Sequence, residues 1–264
     1  MARKRNPFEN IPGPYIRNMY LVRERVPDWK EHPFHLPAVR HLGTFEFHPK
    51  VTFLIGENGS GKSTLLEALA VSLGMNAEGG NRNLRFSTRD SHSKLTDSLR
   101  VGKVAGKAAP DSYFLRAESF YNVATDLEIQ DQHHGGQLLQ RFGGKSLHEQ
   151  SHGESFMALF ANRFTGQGLY LLDEPEAALS AQKQMTFLSI MHNYVRLGSQ
   201  FVIATHSPIL LAYPEAQIFL LDSEGIHLRK YEETDNYQIT RNFLNRTPQI
   251  LKILMDNEEG QSSC

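Results

Sequence analysis

The sequence predicts an α/β fold with a mixed β-sheet core flanked by helices and an antiparallel β portion towards the N-terminus. Three observations carry that expectation. Short apolar runs of strand character alternate with segments of helical period along the 264 residues. The glycine-rich stretch Gly56-Glu57-Asn58-Gly59-Ser60-Gly61-Lys62-Ser63-Thr64 stands between one such run and one such helix. A second buried run, Leu169-Tyr170-Leu171-Leu172, ends on Asp173-Glu174-Pro175. With 40% hydrophobic and 22% charged residues, the composition excludes global disorder and collagen-like order and suits a chain that buries a sizeable core.

In chain order, Tyr15 to Arg23 and Thr44 to Phe47 read as strands, and Lys50-Val51-Thr52-Phe53-Leu54-Ile55 as a buried strand ending at Gly56. From Lys62 to Leu73, Leu65, Leu66, Leu69, Ala70 and Leu73 recur at helical spacing, and Gly74 follows as a stop. Met75 to Asp111 is rich in Gly, Asn, Ser, Arg and Lys without a sustained period, which predicts a loop-dominated insertion. Tyr113 to Arg116 reads as a strand, Ala117 to Gln130 as largely helical, and His133 to Lys145 as a glycine-rich loop leading into 146–164. Ser180 to Leu197 carries two interleaved apolar rows, the pattern of a helix lying over a sheet. Phe201-Val202-Ile203-Ala204 is another buried strand. Ile218 to Leu221 and Ile226 to Arg229 suggest a hairpin through Ser223-Glu224-Gly225, and Asn236 to Met255 a closing helical segment. The polar stretch from Asp256 to Cys264 is expected to be a frayed tail.

Charge and cysteine content bound the function. Lys plus Arg number 28 and Asp plus Glu 29, a net charge of −1, so the total gives no charge-driven grip on nucleic acid or anionic membrane. The single cysteine, Cys264, excludes an internal disulfide framework and a cysteine zinc cluster and suits a reducing compartment. Basic residues near Met1 are followed by Ile11-Pro12-Gly13-Pro14 rather than an apolar segment, so no secretory signal is read and a cytoplasmic location is expected. No apolar run approaches the roughly 20 residues that cross a bilayer, so direct membrane insertion is not expected.

The chemistry is concentrated in two places. Gly56 to Ser63 satisfies G-x-x-x-x-G-K-[ST] in the strand-to-helix context that a phosphate loop requires. Its glycines let backbone N–H groups turn inward around phosphate oxygens, and the helix starting near Lys62 presents its positive end. Lys62 would neutralise the β and γ phosphates and Ser63 would ligate Mg²⁺. Asp173, at the end of a neighbouring strand, is the second Mg²⁺-side group. Glu174, one residue on, is placed to polarise the water that attacks the γ-phosphorus.

These motifs, in this order, resemble those of an ABC-type ATPase head, a P-loop NTPase. The resemblance also covers a signature-like Ser151-His152-Gly153-Glu154-Ser155, the loop Ala178-Leu179-Ser180 and the switch segment Ala204-Thr205-His206-Ser207. The Gly-Glu-Asn-Gly form of the loop, the Ser-His-Gly-Glu signature and Phe114-Leu115-Arg116-Ala117-Glu118-Ser119-Phe120 are most similar to stand-alone ATPases related to SMC-like DNA-repair and anti-phage ABC proteins. The resemblance implies ATP and Mg²⁺ as ligands, His206 as γ-phosphate sensor, and a head-to-head homodimer with Ser151, Gly153 and Glu154 of each protomer facing the other's nucleotide. Ser151 and Glu154 are also spaced as a helix capping box, which is compatible with that role. Where the family places a glutamine at the Mg²⁺ edge, Glu118 and Ser119 are the nearest residues. The adenine base would stack on an aromatic near the first strands, and Tyr15, Tyr20, Trp29 and Phe34 are all available.

The resemblance further implies one ATPase domain over residues 1–255, with an insertion and helical signature subdomain at about 75–165. The long heptad arms of SMC-type proteins are absent between Ser63 and Ser151. Three roles follow from it: a switch or motor in DNA repair or phage defence, an ATP-binding subunit that holds an effector protein, or a transporter's nucleotide-binding subunit. His152 and Glu154 depart from the transporter signature. The basic residues Arg82, Arg85, Arg89, Lys94, Arg100, Lys103 and Lys107 suggest contact with DNA.

Overall fold

The computed structural model describes residues 14–77, 79–80, 94–117 and 152–259. Of the sequence expectations, the helix after Ala117, the glycine-rich loop at 133–145, Glu118, Ser119, Ser151, Arg82, Arg85 and Arg89 lie outside the described residues.

The strands are β1 (Ile16–Leu21), β2 (Thr44–Glu46), β3 (Val51–Ile55), β4 (Leu99–Lys103), β5 (Asp111–Arg116), β6 (Gly168–Asp173), β7 (Gln200–Ala204), β8 (Ala216–Asp222) and β9 (Gly225–Arg229). The helices are α1 (Pro37–Arg40), α2 (Lys62–Ser72), α3 (Leu95–Ser98), α4 (His152–Arg163), α5 (Ala181–Arg196), α6 (Pro208–Leu211), α7 (Asp235–Asn245) and α8 (Thr247–Glu259). A six-stranded sheet runs in the order β5-β6-β7-β3-β8-β9, all neighbours parallel except the β8–β9 hairpin. A smaller antiparallel sheet has the order β2-β1-β4. The mixed sheet and the separate antiparallel portion match the predicted fold class.

Residues of period two divide the sheet into two faces. Phe53, Tyr113, Tyr170, Leu172, Phe201 and Ile203 face α4 and α5, whereas Leu54, Phe114, Leu171, Val202 and Ala204 face α2 and the small sheet. Phe160 of α4 is fully buried and its ring meets those of Phe164, Phe187, Tyr194 and Phe201 at centroid distances of 4.6, 4.5, 5.5 and 6.3 Å. Phe160→Ala is therefore expected to cost about 3–5 kcal/mol of stability, read from denaturant unfolding midpoints.

Gln200, buried at the start of β7, ties the two sheets together. Its Oε1 accepts from the Tyr15 and Ile16 N–H groups (2.8 and 3.1 Å), and its Nε2 donates to the Ile16 and His48 carbonyls (both 3.0 Å). A single amide thereby satisfies backbone groups that would otherwise be costly to bury.

Two segments differ from the sequence expectation. Within 75–111, read as loop, Leu95 to Ser98 forms one helical turn and Leu99 to Lys103 pairs with β1. Only Leu99 of β4 is fully buried and Gly102 interrupts it, so the strand forms through its pairing and lacks a strong apolar pattern of its own. The closing helical segment is two helices, broken at Arg246 (φ −133°, ψ 31°). Pro248 explains the break, because it has no N–H to continue the ladder back into α7. Helix α8 also runs to Glu259, into the stretch read as a frayed tail.

Candidate nucleotide site

Strand register brings the site together. Leu54 is opposite Ala204, Ala204 opposite Asp173, and Asp173 opposite Arg116. Because these strands are parallel, the Gly56 loop, the Asp173-Glu174 turn, Arg116 and the His206 segment leave the sheet along one edge, at the strands' carboxyl ends, where open α/β sheets bind ligands.

Gly56 has φ +145°, and a Cβ there would lie 2.3 Å from the Leu221 carbonyl oxygen, so neither the backbone nor the space admits a side chain. Gly61, with φ +100°, is the N-cap of α2. Lys62 follows it and is buried, its Nζ donating to the Gly56 and Glu57 carbonyls at 2.7 and 3.0 Å. Burial holds the Lys62 pKa below the usual lysine range, and the carboxylates of Glu174, Asp173 and Glu176 oppose that shift.

Ser63 Oγ donates to Asp173 Oδ1 at 3.0 Å, joining residues 110 positions apart. The other oxygen, Asp173 Oδ2, lies 3.6 Å from Arg116 Nε, while Arg116 Nη1 donates to Glu67 Oε2 at 3.0 Å. A hydroxyl and a carboxylate converging beside a phosphate loop are the hard oxygen donors that Mg²⁺ takes together with nucleotide phosphates, so the residues fit that ion. Arg116 and Glu67 extend this site beyond what the sequence motifs identified. Arg116 stood only in a family-like segment, and Glu67 was not singled out by any motif.

Glu174 is the one non-glycine residue with positive φ among the described residues (φ 50°, ψ 51°). Its N–H donates to the Ala204 carbonyl at 2.9 Å, which helps hold this costly conformation. His206 Nε2 is 3.7 Å from Glu174 Oε1. The His206 backbone N–H donates to Glu176 Oε1, so the turn after Glu174 also holds the His206 segment. Glu176 carried no sequence signal beyond standing near Glu174.

A cavity of about 340 Å³ is lined by His32, Leu36, Asn58, Gly59, Gly61, Lys62, Ser63, Thr64 and Glu174. Glu57 and Gly56 line a second cleft of about 580 Å³ with His206 and Asn236. Ser60 Oγ, also in the loop, is buried. Gly153 and Glu154 on α4 are not among the described residues lining either space. Gly153 is instead packed so that a Cβ would meet the Ala178 carbonyl oxygen at 2.6 Å, while Glu154 is exposed. Among the aromatic candidates for adenine, Tyr15 and Phe34 are core residues; Tyr20 is exposed, and the Trp29 ring is covered by Arg23 at 5.4 Å. Of the residues near the first strands, His32 and Leu36 stand at the cavity wall instead.

Comparison with known proteins agrees with this geometry. An AAA-domain family model matches residues 35–146, and a second AAA-domain model, described with the candidate AbiEii toxin of a type IV toxin–antitoxin system, matches 146–212. The chain is 30% identical to the hemin import ATP-binding protein HmuV of Pseudomonas aeruginosa over 190 residues, 66% of this chain and 73% of that protein. It is 54% identical to structural maintenance of chromosomes protein 6 of Homo sapiens over 62 residues, 23% of this chain and 6% of that protein. The Takifugu rubripes protein of the same name matches at 39% over 77 residues, 28% of this chain and 7% of that one, so the chain spans only a small part of either. The SMC head domain from Thermotoga maritima superposes with a TM-score of 0.43 at 12% identity, covering 82% of this chain and 99% of that one. The phosphate loop, the aspartate-glutamate strand and the likeness over most of HmuV lead to one assignment: this chain belongs to the ABC-type ATPases, as an ATP-binding domain.

Proposed function

We propose that this chain hydrolyses ATP to ADP and phosphate, as a single ATPase domain over residues 1–255. The observation that carries the reading is the Ser63–Asp173 hydrogen bond at 3.0 Å, with Lys62 and Glu174 on the walls of the same cavity. Lys62 and the loop amides stabilise charge on the phosphates, Glu174 accepts a proton from the attacking water, and His206 contacts the γ-phosphate. Ser63 and Asp173 are the residues that would hold Mg²⁺, which supplies charge neutralisation at the phosphates when bound. Glu118, the nearest residue to the family's glutamine, is proposed as a further group at the Mg²⁺ edge.

The second half of each site comes from a partner copy in this reading. Ser151, Gly153 and Glu154 would face the other protomer's nucleotide, making ATP the link of a head-to-head homodimer. Support comes from Glu154, which is exposed on α4.

For the work that turnover drives, we favour DNA repair or phage defence in the cytoplasm. The local likeness to structural maintenance of chromosomes protein 6 and the basic residues Lys94, Arg100, Lys103 and Lys107 support it. The likeness to HmuV supports the rival reading of a transporter subunit, and a subunit holding an effector protein is the third. No described helix is long and apolar enough to cross a membrane. The deciding measurement is steady-state ATPase activity with and without linear double-stranded DNA, with Glu174→Gln as the blank. Stimulation of severalfold that vanishes in the blank and weakens with added salt is expected. A low rate indifferent to DNA would reject the DNA reading in favour of an effector-bound switch.

A further inference from the structure

The His206 segment is held by residues that do not line the cavity of Lys62, Ser63 and Glu174. Asn236, in the first turn of α7, donates from Nδ2 to the His206 carbonyl at 2.8 Å, across 30 residues of sequence. Tyr231, just before that helix, donates from its hydroxyl to the Pro208 carbonyl at 2.9 Å. Between them, buried Thr234 caps α7, its Oγ1 accepting from the Tyr237 N–H and donating to the Tyr231 carbonyl. The other side of His206 is fixed by its N–H bond to Glu176, and Ser207 Oγ donates to Gln184 Oε1. The histidine backbone is thus bonded at its N–H by the turn that follows Glu174 and at its carbonyl by α7, while its Nε2 has no hydrogen-bond partner among the described residues.

The helix that makes this bond has little other purchase on the body. No residue of α7 is buried, and Ile239, Phe243 and Leu244 are exposed, as are Ile253, Leu254 and Met255 of α8. Its firm connections are concentrated at its N-terminal end, at the carbonyls of the switch segment. A rigid helix attached in this way moves the His206 carbonyl when it moves, and is moved by it in turn.

We propose that Asn236 is a positioning residue for the switch histidine, and that through it the C-terminal helices α7 and α8 are coupled to the state of the nucleotide. The proposal rests on the reading of His206 as the γ-phosphate contact. Loss of the Asn236 donor breaks none of the hydrogen bonds of Lys62 or Ser63, so ground-state binding of ATP persists while the group that meets the γ-phosphate is less well placed. That separates it from a general loss of fold, which would weaken both.

The test uses the whole chain as wild type, Asn236→Leu, Asn236→Asp and His206→Ala, together with the Asn236→Leu/His206→Ala double variant. ATP affinity, ATPase turnover, melting temperature and amide hydrogen exchange are measured for each. Asn236→Leu and the isosteric Asn236→Asp, both lacking the donor, are expected to lower kcat roughly tenfold with ATP affinity within about twofold and the melting temperature unchanged. In the His206→Ala background the Asn236→Leu change should add little, because the two act as one unit. ATP should alter exchange across α7 in the wild type and not in Asn236→Leu. Unchanged turnover in Asn236→Leu beside an active wild type, or fully additive effects with His206→Ala, would overturn the clamp while leaving the ATPase reading in place. A wild type without Glu174-dependent turnover would instead refute the parent reading. The exchange measurement then judges the coupling by itself, and an α7 indifferent to ATP would end it.

Discussion

Glu174→Gln will bind ATP with nearly unchanged affinity, turn it over at least about a hundredfold more slowly, and accumulate as an ATP-bound dimer. The side chain keeps its size and polarity in the substitution and loses only its ability to accept a proton from water. Its backbone has φ +50°, and its N–H is bonded to the Ala204 carbonyl at 2.9 Å. Neither feature depends on the carboxylate, so the fold of the turn should survive. The loop cavity should also survive, since Lys62 is anchored by the Gly56 and Glu57 carbonyls and Ser63 by Asp173. With binding intact and hydrolysis blocked, a dimer whose link is ATP cannot resolve. Light scattering after gel filtration with ATP and Mg²⁺ reads the outcome directly. A variant that binds ATP, fails to hydrolyse it and remains a monomer would remove the shared-site model while leaving Glu174 as the base.

How much of this was legible in the sequence depended on whether local chemistry or tertiary pairing decides the structure. The phosphate loop was fully legible, because three positive-φ glycines, a lysine and a serine at fixed spacing leave few other conformations. The buried strands β3, β6 and β7 were legible for a related reason: parallel strands covered on both faces must be almost continuously apolar. Strand β4 was not, since its residues Leu-Arg-Val-Gly-Lys become a strand by pairing with β1 rather than by their own pattern. The break at Arg246 was visible in Pro248 but was masked by a helical apolar period that continues on both sides. In the site, the motif residues Lys62, Ser63, Asp173, Glu174 and His206 come together at one edge of the sheet. Arg116, Glu67, Glu176, Gln200 and Asn236 act through partners 30 to 185 residues away, and no spacing in one sequence encodes that.

The other large effect is expected at Lys62. Its ammonium is buried, bonded to two carbonyls of its own loop, and faces the carboxylates of Asp173, Glu174 and Glu176. Lys62→Ala removes the one cation lining the loop cavity among the described residues and leaves carboxylates where a polyphosphate must lie. Charge-assisted contacts of this kind are worth about 1.5–3 kcal/mol each, so ATP affinity should fall roughly ten- to a hundredfold or more. The pH dependence gives an independent check. Burial holds the Lys62 pKa down in the free protein, and a bound triphosphate raises it by direct attraction, so binding takes up a proton. The sign follows from linkage: affinity is full while Lys62 is charged in the free protein and weakens as pH rises through its lowered free-state pKa. Calorimetric titration with ATP in two buffers of different ionisation enthalpy measures that proton. Proton uptake on the alkaline side in the wild type, absent in Lys62→Ala, is the expected result. An equal proton uptake in both proteins would show that the triphosphate is held by some other cation and that Lys62 serves only to brace its own loop.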